Sequence, residues 1–214
     1  MRRIFLAVAN TVLSSPHMPY PSEQLREART IAAVGNGPVS DASKIDAADF
    51  VIRMNKAQFC GQAGERTDIL VLMSWSHPGR EFAKRPECIN PLALKGAKFF
   101  WLINHPNHID QFRTGRDAKV PGDSSRKIIK KLIEGRPFRY MPSENRVEVS
   151  DLLRKNGSRI DVIPSTGVQV INLLRHEAPK ASLQLFGFSH QGWDGHCWEA
   201  ERRLISGMAS VVAY

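Results

Sequence analysis

Asparagine side chains stand where two apolar runs end, Asn36 after 30–34 and Asn55 after Phe50-Val51-Ile52 and Arg53-Met54. Two carboxamides at strand ends could converge on one ligand, since each both donates and accepts. Gly35 and Gly37 flank the first, and a residue without a Cβ lets backbone approach a phosphate or a base. Taken alone, 35–37 also reads as an ordinary turn. It is not a dinucleotide fingerprint, because Ser40 replaces the third glycine, and no Walker lysine follows. Further on, Pro164-Ser165-Thr166-Gly167 opens an apolar helical stretch. Its hydroxyls and unpaired N–H groups suit a phosphate, a ribose or a nucleobase edge, and a plain N-cap would use the same residues. His196 and Glu201 come late in the chain, with His190 shortly before them. By itself such a histidine reads as a helix cap or a surface residue. His105 and His108 have a metal-like spacing but flank Pro106 with no carboxylate fixed nearby, so a surface loop is expected and no metal site. Trp75 and His77 leave a strand end, where they would face a ligand or pack the sheet edge.

The elements that must position these groups follow from hydrophobic runs and their punctuation. Short apolar runs at 30–34, 50–52, 68–73, 98–103, 138–141, 159–163 and 183–186 read as buried strands. Helices are expected over 22–29, 40–47 with Ser40 as cap, 123–134, 144–155, from Ser165 or Thr166 onward, and from about Cys197. Residues 17–21, 60–65 and 74–79 read as loops. Strands alternating with helices predict an α/β fold, a Rossmann-like, doubly wound and mostly parallel sheet with helices on both faces. In such a sheet ligands sit beyond the carboxyl ends of the strands, where Asn36 and Asn55 fall.

The 214 residues suit a single domain over 1–214, with 1–29 as an N-terminal extension or first helices. The opening residues resemble a short signal peptide, but Ala7-Val8-Ala9 falls too early for cleavage, so a helix or strand is expected there. No apolar run nears the ~20 residues of a membrane helix. A formal charge of +9 favours anionic partners, either small molecules or a membrane surface. With no arginine-rich tail and no recognisable module, nucleic-acid binding is not expected. Cys60, Cys88 and Cys197 are odd in number and not spaced as metal ligands, which suggests a reducing, cytoplasmic compartment.

Taken together, the motifs resemble the eukaryotic-type sialyltransferase family. Residues 31–68 look like its large motif: VGN, ID, DFV, RMNKA, a glycine and RTD. Residues 164–188 look like its small motif, from PSTG to Gly-Phe, and His196-Cys197-Trp198-Glu199-Ala200-Glu201 fits its very small motif. The resemblance covers about half the chain in the family's order. It implies a sialyltransferase-type variant of the GT-A fold and an inverting transfer, with no cofactor and no metal. The donor would be CMP-sialic acid or another CMP-ulosonic acid such as CMP-Kdo. The acceptor would be a bacterial surface glycan or a glycolipid, with peripheral contact at the inner membrane face. His196 would be the general base, a role suited to a near-neutral pKa. Glu201 would orient. Asn36 and Asn55 would contact the CMP moiety, Ser165, Thr166 and Gly167 would line its pocket, and His190 would contact its phosphate. The chain contains no Asp-x-Asp metal clamp, and a single donor phosphate can be stabilised by N–H groups, hydroxyls and a histidine.

Departures from the family pattern are also present. Where the animal enzymes pair two cysteines, this chain has Ile31 and a position near Lys180, so that bridge is absent. The stretch His190-Gln191-Gly192-Trp193 matches the family's other histidine motif poorly. The chain is also shorter than the animal catalytic domains. A non-catalytic nucleotide-binding protein on the same fold is the alternative.

Overall fold

The computed structural model describes residues 21–103, 105–106, 122–159, 163–208 and 210–213. The expected N-terminal element and His108 fall outside them, as does most of the strand expected over 159–163.

Seven strands form one sheet, entirely parallel among the described residues: β1 (Thr30–Val34), β2 (Phe50–Met54), β3 (Ile69–Met73), β4 (Phe99–Ile103), β5 (Phe138–Tyr140), β6 (Ser182–Phe186) and β7 (Val211–Ala213). Their order is β5-β4-β3-β2-β1-β6-β7. From β1 the chain winds outward through β2 to β5, then returns to place β6 on the other side of β1. That reversal creates a crevice at the carboxyl ends of β1 and β6. All residues of β3 and β4 are buried, as expected for parallel strands covered on both faces. In β1 the two-residue period divides the core. Ile31 and Ala33 join the main cluster, whereas Ala32 and Val34 join a second cluster with Ile45, Ala48, Val51, Ala63 and Phe186.

The helices are α1 (Ser22–Glu27), α2 (Ser76–Lys84), α3 (Pro91–Gly96), α4 (Ser125–Ile128), α5 (Ser143–Lys155), α6 (Thr166–Glu177) and α7 (Trp198–Ser206). The doubly wound α/β architecture agrees with the sequence reading, and several local expectations do not. Residues 40–47 form turns and no helix. Asp41 closes a local turn on the Ser43 N–H, and Asp46 accepts from the N–H groups of Glu65 and Arg66. Ile45 and Ala48 must meanwhile face the second core, so tertiary bonds override helix propensity there. Residues 74–79 are not a loop, because α2 begins at Ser76. Pro78 lies in the first turn, where its missing N–H costs nothing. The basic helix at 123–134 starts as α4 and widens to π geometry over Ile129–Ile133 before Glu134 and Gly135 end it at positive φ.

Much of the charged chemistry between β1 and β3 braces this frame. Arg53 is buried and donates to the carbonyls of Ala63, Gly64 and Arg66. Asp68 accepts from the Val51 N–H and pairs with Arg66 and Lys98. Asp49 ties the N–H groups of Arg29 and Thr30 at the foot of the sheet.

Candidate active site

The crevice holds a cavity of about 300 Å³ at the carboxyl ends of β1, β2 and β6. Asn36, Asn55, Ser165, Thr166, Gly167, His190, His196 and Glu201 all line it. Residues far apart in sequence meet because β6 returns beside β1 and brings α6 and α7 with it.

Backbone contact between two glycine turns forms its floor. Gly35 N–H donates to the Phe186 carbonyl at 2.8 Å, and Gly37 N–H to the Gly187 carbonyl at 2.9 Å. A Cβ on Gly35 would stand 2.6 Å from the Gly187 oxygen, and one on Gly37 2.7 Å. These glycines therefore admit Gly187, at φ +67, as the ordinary-turn reading expects, and both also line the cavity. Replacing Gly35 with alanine is expected to cost about 2 kcal/mol of stability, since the obstacle is backbone that cannot rotate away. Denaturant unfolding of Gly35→Ala beside the wild type measures this, and an unchanged midpoint would contradict the packing described.

Asn36 lies on this floor. Its Nδ2 donates to the Met54 carbonyl at 3.1 Å, and a carbonyl only accepts, so the amide orientation is fixed. Its Oδ1 is buried with no hydrogen-bond partner among the described residues. Asn55 is differently employed. At φ +53, its Oδ1 accepts from Met73 N–H at 3.0 Å and its Nδ2 donates to Thr166 Oγ1 at 3.2 Å. It ties β2 and β3 to the tip of α6, and its oxygen is already engaged.

The α6 tip is built from two helices. Ser165 is the N-cap, its hydroxyl accepting from Val168 N–H. Glu201 of α7 accepts from both Ser165 N–H, at 2.8 Å, and Ser165 Oγ–H, at 2.6 Å. The carboxylate thus satisfies the cap residue itself and leaves the Thr166 and Gly167 N–H groups without a partner among the described residues. Unpaired N–H groups at a helix N-terminus favour an anion. Burial pushes the Glu201 carboxyl up to about 7, against the lowering effect of its two Ser165 bonds.

His196 is tied by Nδ1 to the Ile163 carbonyl at 2.6 Å. That oxygen only accepts, so Nδ1 carries the hydrogen and Nε2 presents its lone pair in the neutral ring. Burial lowers the imidazole pKa below the usual histidine value; the Ile163 bond opposes this and nearby Arg146 adds to it. Trp193 and Trp198 meet the ring edge-to-face at 5.0 and 4.8 Å. His190 sits at φ +49, its pKa lowered by burial and then by Arg202.

Other cavity residues were not foreseen: Met54, Gly187, Phe188, Trp193 and Trp198. Trp198 Nε1 is buried without a partner among the described residues, a second such polar atom in the lining. The glycines at 187, 192 and 195 were the available signal, because they mark a chain folded tightly around aromatic rings. Trp75 and His77 lie elsewhere. Trp75 is buried under the Arg146 guanidinium, and His77 is exposed on α2. His105 meets the Tyr140 ring at 4.7 Å.

The fold resembles that of a bacterial sialyltransferase. The crystal structure of the α-2,3-sialyltransferase from Campylobacter jejuni, in apo form, superposes with a TM-score of 0.51 at 17% identity, covering 86% of this chain and 74% of that one. By sequence, the chain is 27% identical over 197 residues to the urease operon 23 kDa accessory protein of Rhizobium meliloti (strain 1021), covering 87% of this chain and 91% of the relative. No family model matches. No helix among the described residues is long and apolar enough to cross a membrane.

Proposed function

We propose that the chain is an inverting, metal-independent glycosyltransferase moving sialic acid or a related ulosonic acid from its CMP-activated donor to a glycan hydroxyl. One observation carries the reading. A neutral imidazole with its Nε2 lone pair presented shares a cavity with the unpaired N–H groups at the α6 tip. In the proposed step His196 Nε2 takes the proton of the acceptor hydroxyl. The acceptor oxygen then bonds to the anomeric carbon as its bond to the phosphate oxygen breaks. Charge developing on the departing CMP falls on Thr166 and Gly167 N–H and on His190. Asn36 Oδ1 accepts from a donor group of the CMP moiety. Asn55, Ser165 and Glu201 hold the tip in place. The fold of the Campylobacter jejuni enzyme supports this choice over other nucleotide chemistries on a parallel sheet. A basic surface suits an acidic donor and a glycolipid acceptor at the inner membrane face.

A second reading, nucleotide binding without turnover, is favoured by the Rhizobium meliloti relative, whose name ties it to a urease operon and to no transfer reaction. One assay separates the two. CMP-Neu5Ac and CMP-Kdo are offered separately with EDTA present, and CMP release is measured against the spontaneous rate. Release on one donor, undiminished by EDTA, is expected. Binding of CMP without release favours the second reading, and binding of neither donor ends both.

A further inference from the structure

The cavity has a floor and a rim of different character. Ser165 and Thr166 on the floor are each 8% exposed, whereas Trp193 on the rim is 47% exposed. Of the large apolar side chains exposed among the described residues, Leu92, Val147, Trp193 and Val212, only Trp193 lines the cavity. An indole half in water at the edge of this cavity offers an aromatic face to whatever ligand the cavity takes.

Its position is fixed by the chain around it. Gly192 adopts φ +136, and a Cβ on Gly195 would fall 2.3 Å from the outer edge of the indole, so the ring packs directly against Gly195. The Trp193 carbonyl accepts the His196 N–H at 3.3 Å, and the indole meets the imidazole at 89° between planes. Platform and imidazole are therefore held as one unit.

Resting on the function proposed above, the geometry points to Trp193 as the acceptor platform: its indole takes the C–H face of a pyranose whose hydroxyl reaches His196 Nε2. The hydroxyl that gives up its proton must lie within hydrogen-bond reach of the imidazole. Whatever ring carries that hydroxyl comes close to the indole, whose centroid lies 5.0 Å from that of the imidazole. A nucleotide belongs at the other end, where the α6 N–H groups and Asn36 Oδ1 are buried. The acceptor class assigned is thus a sugar with one face free of hydroxyls, and not a polar aglycone or a peptide.

The test uses the full chain with CMP bound. Methyl β-D-galactopyranoside and methyl β-D-glucopyranoside serve as probes in saturation-transfer NMR, and calorimetry follows CMP. The wild type should pass saturation to the C–H protons of one face of at least one probe. Trp193→Ala should weaken that probe roughly tenfold, Trp193→Phe much less, and neither should change CMP affinity more than about twofold. The inference is overturned if CMP-loaded wild type binds neither probe, if Trp193→Ala binds as the wild type does, or if it loses CMP and pyranoside affinity alike. Failure of the wild type to bind CMP would instead remove the underlying functional reading, and this inference with it.

Discussion

Replacing His196 with alanine is expected to lower transfer from the CMP donor by roughly 10²–10⁴-fold while leaving CMP affinity nearly unchanged. The size follows from the loss of a positioned base, and the selectivity from where the ring sits. Its Nδ1 is bonded to the Ile163 carbonyl, which fixes both the tautomer and the direction of Nε2. Burial, with Arg146 adding to it, holds the pKa below the usual histidine value of 6.5. The ring is therefore neutral, and competent as a base, at pH 7. In the wild type the acid limb of kcat/KM should fall below pH 6.5, where protonation of Nε2 removes the acceptor lone pair. Steady-state kinetics across pH 4.5–8 on wild type and His196→Ala would show this. A mutant turning over at the wild-type rate would mean that another group takes the proton.

Glu201 should make the protein less stable as pH rises. Its carboxyl is 1% exposed, and its folded pKa of about 7 stands above the ordinary 4.5. A pKa raised on folding favours the protonated form in the folded state. The resulting stabilisation is full below about 4.5 and is lost as pH rises through about 7. At 1.36 kcal/mol per pKa unit, the loss between pH 4.5 and pH 8 is about 3 kcal/mol. Glu201→Gln, which cannot ionise, should lack this component. Urea unfolding of both proteins across that range isolates it as the difference between two slopes, even if the glutamine lowers stability by a constant amount. Parallel pH dependences would mean that the carboxyl titrates normally, and that the α6 tip is held by an ordinary carboxylate. The same titration bears on the site. Ser165 donates to both oxygens of Glu201, one through N–H and one through Oγ–H, so the carboxyl's protonation state sets how the tip that presents Thr166 and Gly167 is held.

The sheet was legible because most of its strands are short apolar runs with clear ends. The 68–73 run, for example, became β3 with Asp68 just outside it. β7 was not read, since Val211–Ala213 is half exposed and three residues give no pattern. α2 was missed because Pro78-Gly79 resembles a turn. In fact Gly79 is small because a Cβ there would press 2.5 Å against the Ser74 backbone. The residues that come together at the cavity could be named from their motifs, but not how each is held. Asp46, Asp49, Arg53, Arg66 and Asp68 share the large motif with Asn36 and Asn55, yet they brace loops away from the cavity. Nothing in a linear motif separates an asparagine with an unmet oxygen, Asn36, from one fully tied to the frame, Asn55. Nor does it show that Trp193 stays half exposed beside His196, packed against Gly195 in a turn where Gly192 takes φ +136.

The central claim is that the crevice between β1 and β6 is a CMP site. Titrating CMP into isotope-labelled protein and following backbone amides by NMR tests it most directly. Saturable shifts centred on Thr166 and Gly167 N–H are expected, with the Asn36 side-chain amide and His190 moving at the same concentration. No saturable shift, or shifts centred away from these residues, would contradict it.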